Sequence, residues 1–296
     1  MSNAKPRLAL IFGILCISVF PILVKLNLTG GLISAFYRMA IATALLLPYV
    51  LLGGKLKLPK TRILILAILC GILFSSDVAA WNIAIQTSSA TQASLLTNLS
   101  PLWVGTISFI FLKNKPAVYF WIGTVIALFG MTMLVGFKFF LELNFDTAFL
   151  LAVLSGVLYS IYLLVSKKVL SHIDVLSFMT ISLLTSTVYL GIICISVNEP
   201  FSGFSNMGWF VLFIQAVVCQ LAAWLSISYA TQHMRPTVIS LSLLGQAILT
   251  SILAWLFLKE QITLNMIIGG FILLLGIRIT FYTKTLSIVK LKLKNK

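Results

Sequence analysis

Residues 81–115 read WNIAIQTSSATQASLLTNLSPLWVGTISFIFLKNK, and residues 227–261 read ISYATQHMRPTVISLSLLGQAILTSILAWLFLKEQ, with the same punctuation 146 positions later. Ala84, Gln86, Thr91, Ser94 and Leu95 meet Ala230, Gln232, Thr237, Ser240 and Leu241, and Phe111-Leu112-Lys113 meets Phe257-Leu258-Lys259. Beyond the stretch, Gly123 and Gly130 fall on Gly269 and Gly276. Apolar helices resemble one another in composition but not in the placing of Gln, Lys and Gly. One ungapped offset across two helices and into a third therefore marks a duplicated unit. Gly13 and Lys25 match Gly156 and Lys168 at an offset of 143, which carries the repeat over five helices in each half.

The chain has 296 residues, 60% of them hydrophobic and only 9% charged, too little polar surface to cover a soluble domain. A span of the bilayer needs about 20 apolar residues. Ten such runs are predicted, at 8–28, 32–52, 63–86, 92–112, 118–137, 147–166, 175–197, 207–230, 237–258 and 263–283. The first follows Lys5 and Arg7 but is too long for a signal peptide and lacks a small-x-small cleavage site. Five is odd, so the second half enters the membrane from the opposite side. The expected fold is an all-α membrane protein of ten transmembrane helices arranged as two inverted five-helix repeats. The first repeat covers 1–137, a linker 138–146, the second repeat 147–283 and a basic tail 284–296.

The net charge of +15 suggests nucleic acid only until the cations are located. Lys5, Arg7, the loop from Lys55 to Arg62, Lys113, Lys115, Lys167, Lys168, Arg235 and the tail share one side, against Lys138 and Lys259 on the other. The positive-inside rule makes the first side cytoplasmic, with both termini, and places the chain in the cytoplasmic membrane. Lys259 is the copy of Lys113 carried outside, where Glu260 partly offsets it. The tail is expected to lie against anionic headgroups, making the bilayer rather than nucleic acid the partner of the charge. Cys16, Cys70, Cys194 and Cys219 fall inside apolar runs without metal-ligand spacing and read as small core residues.

Lipid cannot hydrogen-bond polar side chains, so those inside the spans must face protein or water. The fourth span carries Gln92, Ser94, Thr97, Asn98, Ser100 and Pro101; the ninth carries Ser240, Ser242, Gln246 and Thr250. The third has Asp77 and, one turn on, Trp81; the eighth has Gln215, Gln220 and Trp224; the sixth presents Tyr159 and Tyr162. Lys25 either snorkels to the outer surface or meets an anionic substrate. Asp77 is the only acid in any span, with Arg38 and Lys25 as available partners, so a fixed Asp77 to Arg38 ion pair competes with a partner exchange coupled to transport. The candidate substrate-binding residues are Lys25, Arg38, Asp77, Trp81, Asn98, Tyr159, Tyr162, Gln220, Trp224 and Gln246. For the aromatics and amides, packing and interhelical hydrogen bonds are the competing roles. Arg278 is expected to snorkel to the cytoplasmic end.

The two helix endings Phe111-Leu112-Lys113-Asn114-Lys115 and Trp255-Leu256-Phe257-Leu258-Lys259-Glu260-Gln261 look like an apolar-Leu-(Gly/Lys)-Glu signature. With Leu99-Ser100-Pro101-Leu102, Tyr37-Arg38-Met39 and the paired glycines, the chain resembles the drug/metabolite transporter superfamily and, within it, the EamA family of ten-helix carriers. Asn114 replaces the usual acid of the first ending, and Ala247 stands where the second half often has proline. The resemblance implies secondary transport of a small polar or amphipathic metabolite, such as an amino acid, a nucleoside-like compound or a drug, through a central cavity between the halves.

The residues lead to the same class without the family, because an inverted repeat has two nearly equivalent packings, one open to each side. No G-x-x-x-x-G-K-[ST] and no cytosolic domain point to ATP, so any driving force is a gradient. The spans lack the paired acids or Ser/His pair of an intramembrane enzyme, and His172 and His233 fall in loops. No cofactor or metal is expected, a homodimer is compatible with the sequence, and a non-transporting structural membrane protein is the alternative reading.

Overall fold

The structure is a computed structural model that describes residues 4–87, 96, 98–113, 115–136, 146–259 and 261–281. The polar residues Gln92, Ser94 and Thr97, Glu142 and Asn144 of the linker, Asn114, Glu260 and the basic tail lie outside the described residues. Ten helical spans run in order: α1 (Ala4–Ser18, continuing as Phe20–Lys25), α2 (Gly31–Leu52), α3 (Thr61–Thr87), α4 (Ser100–Phe111) and α5 (Val118–Val135). The second half has α6 (Thr147–Leu170), α7 (Val175–Ser196), α8 (Asn206–His233), α9 (Pro236–Leu243, then Gln246–Leu258) and α10 (Leu264–Phe281). Nine of the ten are long and apolar enough to cross a bilayer, and α4 is described over 12 residues.

Each half is the other's mirror in contact as well as in sequence. α2 packs on α7, α4 on α9 and α5 on α10, each of these helices meeting its own counterpart. α3 packs on α6 as α8 packs on α1, and α3 on α7 as α8 on α2. The glycines of α5 and α10 fix the sense of this symmetry. A Cβ on Gly123 would lie 2.6 Å from the carbonyl of Gly276, and one on Gly269 would lie 2.7 Å from that of Gly130. Gly123 corresponds to Gly269 in the repeat, yet it faces Gly276, so the two helices run antiparallel and swapping the halves reproduces the contact. The protein is therefore two inverted five-helix repeats, joined where small residues let backbones touch in the absence of any hydrophobic drive between helices.

The ends are closed by polar caps that water can reach. Asp146, Asp174 and Ser205 accept hydrogen bonds from the backbone N–H of Phe149, Ser177 and Gly208, satisfying first-turn donors of α6, α7 and α8. At the end opposite the basic loops, the Tyr37 hydroxyl donates to the Phe201 carbonyl at 2.5 Å, inside a cluster of edge-packed rings with Phe36, Phe204 and Trp209. This ties the α7–α8 connection to α2.

Four helices depart from α geometry. α1 breaks at Val19, two residues before Pro21, whose missing N–H leaves the turn without a ladder bond. α4 starts after a turn at Asn98–Leu99, with Pro101 in its first turn. α9 is interrupted by a turn at Leu244–Gly245, where Leu244, Gly245 and Ala247 donate to carbonyls three residues back instead of four. The turns at 98–99 and 244–245 are separated by 146 positions and are therefore the same break in the two repeats. α8 widens into a π segment over Gln215–Ala222 that its counterpart α3 lacks.

Candidate functional site

The breaks converge on one cavity of about 320 Å³. Phe20 and Pro21 of the α1 break, Asn98 of the α4 turn and Gln246, Ala247, Thr250 and Ser251 beyond the α9 turn line it. Arg38 from α2, Phe74, Asp77 and Trp81 from α3, Met131 and Leu134 from α5 and Trp224 from α8 complete the wall. Both repeats contribute, and Arg38 lies two turns into α2 from the end opposite the basic loops.

The α1 and α9 breaks hold each other. The Ser18 hydroxyl donates to the Ile14 carbonyl at 2.6 Å and reaches the Gln246 carbonyl at 3.5 Å, while the Thr250 hydroxyl donates to the Ser18 carbonyl at 3.1 Å. The α4 break is tied to the other half in its own way, through the Ser160 hydroxyl of α6 donating to the Ser100 carbonyl at 3.1 Å. The Thr250 hydroxyl thus satisfies the Ser18 carbonyl at the end of the first α1 segment, as irregular backbone at membrane depth requires, while the Ser18 and Ser160 hydroxyls tie down the first residues of the restarted helices.

The two charges of the cavity are separately accommodated. Asp77 is 7% exposed and accepts a hydrogen bond from the Ser155 hydroxyl of α6 at 2.5 Å. Arg38 is 4% exposed and its guanidinium carbon lies 4.5 Å from the centroid of the Phe20 ring, a cation–π contact. Phe20 in turn packs on Trp81, with ring centroids 5.7 Å apart. Among the described residues the fixed Asp77 to Arg38 ion pair weighed from the sequence is replaced by these two partners, Ser155 and Phe20. The asymmetry is deep in the repeat: the counterpart of Asp77 in α8 is Ala223, which packs fully buried against Gly13 of α1.

Six of the ten candidate residues of the sequence line this cavity together: Arg38, Asp77, Trp81, Asn98, Trp224 and Gln246. Tyr159 and Tyr162 sit behind it, packed on Trp224 at ring-centroid separations of 6.3 and 6.0 Å, with Phe74 4.6 Å from the same indole. Gln220 is 1% exposed in the π segment and does not line the cavity. Lys25 is exposed at the end of α1, apart from the other nine. Sequence reasoning missed Ser155, Phe20, Pro21 and Ser251. Ser155 directly precedes Gly156, but nothing in an apolar run distinguishes a serine that meets an acid from one that bonds its own helix.

Several buried polar atoms near the cavity have no hydrogen-bond partner among the described residues: Arg38 Nε, Tyr159 Oη, Trp224 Nε1 and Gln220 Oε1. Buried polar groups are ordinarily paired with protein or water. Arg38 and Trp224 line the cavity with these buried donors unspent. Among the described residues no group of three His, Cys, Asp or Glu is arranged to hold a metal ion.

Comparison with known proteins places this geometry. The chain is 24% identical over 251 residues to the uncharacterized transporter YdfC of Bacillus subtilis (strain 168), covering 83% of this chain and 80% of that one. It is 24% identical over 201 residues to the uncharacterized transporter YoaV of the same organism, covering 67% and 68%. A solved crystal structure of a protein with 15% identity superposes with a TM-score of 0.78 over 94% of this chain and 98% of its own, a likeness of fold. A family model matches twice, at residues 5–136 and 146–282, once in each half, and the chain belongs to the EamA-like transporter family.

Proposed function

We propose that this protein is a secondary transporter that moves a small polar or amphipathic metabolite across the cytoplasmic membrane by alternating access, with both termini on the cytoplasmic side. The observation that carries the reading is the 320 Å³ cavity, built by both inverted repeats at their corresponding helix breaks. Broken helices at the interface of inverted repeats are where carriers bind substrate. The pairing of Asp77 and Arg38 with aromatic walls from Phe20, Trp81 and Trp224 supports a substrate that carries polar or charged groups on an apolar body, such as an amino acid, a nucleoside-like compound or a drug. Asp77 and Arg38 attract each other through space without a salt-bridge contact among the described residues, and Ser155 is the hydrogen-bond partner that the carboxylate would exchange for a proton or a cationic substrate group.

The test is counterflow in proteoliposomes against a metabolite panel, followed by Asp77→Asn. Asparagine keeps the acceptor for Ser155 and removes the charge. Exchange that persists in the mutant while gradient-driven accumulation is lost is the expected result. No flux of any metabolite by the wild type would favour a structural membrane protein, and unchanged accumulation by a folded Asp77→Asn would remove the coupling role.

A further inference from the structure

A second and larger cavity, of about 820 Å³, opens at the end that carries the basic loops, between α4, α5, α6, α9 and α10. Lys113, Lys115, Lys167, Lys168 and Arg235 line it, and among the described residues no Asp or Glu does. The positive-inside rule accounts for cations at this end of the molecule. It does not account for five of them, from the α4–α5 and α8–α9 connections and the last turn of α6, lining a single hollow.

Three further features give the hollow the character of an anion site. The chain turns into α5 at Pro116–Ala117 and into α9 at Arg235–Pro236, and all four of these residues line the cavity. Neither helix has a side-chain N-cap; the N–H groups of Phe120, Val238 and Ile239 bond the Ala117 and Arg235 carbonyls and Pro236 has none, so each helix offers the hollow the positive end of its dipole rather than a row of free donors. Lys167 is fixed in place, its ammonium donating to the carbonyls of Thr231 and Gln232 at 2.9 and 2.8 Å, which leaves one of its three N–H donors over. Finally, Ser108 lines the cavity at 2% exposure with its hydroxyl unpartnered among the described residues, a buried donor with no protein acceptor. Its counterpart in the other repeat is Ala254, so the hydroxyl is not a remnant of the duplicated pattern.

We propose that this vestibule is a binding site for a small oxyanion, a carboxylate or phosphate group, seated among Lys167, Arg235 and the start of α9 with Ser108 as a neutral donor. Charge-assisted hydrogen bonds to a fixed ammonium and a guanidinium are the contacts that such groups select. The oxyanion is either part of a soluble anion or the headgroup of an anionic lipid entering from the membrane surface, and the chemistry of recognition is shared.

The experiment uses the purified full chain in phosphatidylcholine nanodiscs, titrated with inorganic phosphate against chloride at constant ionic strength, reading the melting temperature. A saturable stabilisation by phosphate beyond that of chloride is expected. Arg235→Gln should weaken the apparent phosphate affinity about tenfold and Ser108→Ala about threefold, with melting in chloride unchanged. If Arg235→Gln does not fold, Lys113→Gln in its exposed connection takes its place. Loss of the phosphate response in phosphatidylglycerol nanodiscs assigns the site to a lipid headgroup, and its persistence there assigns it to a soluble anion; both support the proposal. Phosphate acting no more strongly than chloride, or variants responding like the wild type, would overturn it. The readout is binding alone, so a protein without flux in any transport assay still tests it.

Discussion

Gly269 and Gly270 are adjacent in α10 and should respond to the same substitution with opposite signs. An alanine Cβ at 269 would lie 2.6 Å from the Leu134 amide nitrogen, 2.7 Å from the Gly130 carbonyl and 2.9 Å from the Met133 Cβ. The obstruction is mostly backbone of α5, which no rotamer change can relieve, so the two helices must separate by several tenths of an ångström. Overpacking of this kind costs about 1 to 3 kcal/mol. A Cβ at 270 would find nothing nearer than Ile248 at 3.7 Å, an ordinary contact with a flexible side chain. There the gain from replacing glycine inside a helix, about 0.8 to 1 kcal/mol, acts almost alone. Gly269→Ala should therefore lose up to about 2 kcal/mol net, and Gly270→Ala should gain up to about 1 kcal/mol. Reversible unfolding in detergent, followed by tryptophan fluorescence, reads the difference. Gly123→Ala, the counterpart of Gly269→Ala in the repeat, should lose a comparable amount, since its Cβ meets the Gly276 carbonyl at 2.6 Å. Equal stability of Gly269→Ala and Gly270→Ala would refute the antiparallel glycine crossing and the inverted symmetry read from it.

For topology, single cysteines at Lys57 and Lys168 should react with impermeant reagents only from the cytoplasmic side and one at Glu199 only from outside; labelling of Lys57 from outside would reverse the orientation. Trp81→Ala should weaken substrate binding by about 1 to 3 kcal/mol if the ring stacks on the ligand, with expression nearly unchanged, because Trp81 is half-buried at the cavity wall. Trp224→Ala should lower expression as well as binding, since that indole is 6% exposed and packed against Phe74, Tyr159 and Tyr162, and large-to-small changes of buried aromatics cost about 3 to 5 kcal/mol. A Trp224→Ala protein of wild-type yield would show the cluster to be substrate wall rather than core.

The architecture is legible in the sequence because it rests on features that repeat: the apolar lengths, the 146-residue offset and the placing of Gly123, Gly130, Gly269 and Gly276. The cavity is legible in part, since polar residues in a bilayer must face protein or water, and that rule alone brings Asp77, Asn98 and Gln246 to one place. It does not say which neighbour each will find. Charge alone matches Arg38 to Asp77, whereas the fold gives Arg38 the face of Phe20 and gives Asp77 a serine from the other repeat. Gln220 satisfies the same rule and goes elsewhere, because the π segment of α8 turns it by an amount that no 3.6-residue periodicity contains. Lys25 stands out for its copy at Lys168, but a lysine at a helix end is held by the interface and not by the repeat.

The α9 break is the one feature that the sequence should have concealed, since Ala247 stands where Pro101 marks the break in α4. The structure nonetheless starts both helices anew, at Ser100 and at Gln246, with Pro101 and Ala247 each the second residue of its new helix. Proline costs about 3 kcal/mol or more inside a helix, because it removes a ladder bond and its ring strikes the carbonyl four residues back. In the first turn neither penalty applies in full. Ala247 donates only to the Leu244 carbonyl at 3.1 Å, a turn bond three residues back, so Ala247→Pro forfeits that single bond, worth about 0.5 to 1.5 kcal/mol. The α4 copy already places Ser100 ahead of a proline at the same point of the repeat. Ala247→Pro should accordingly fold, insert and melt within about 1.5 kcal/mol of the wild type, while Ala254→Pro, well inside the second helical stretch of α9, should lose about 3 kcal/mol or more. Equal damage from the two prolines would mean that α9 runs unbroken through Leu244 and Gly245, and the cavity would then lack the second of its paired helix starts.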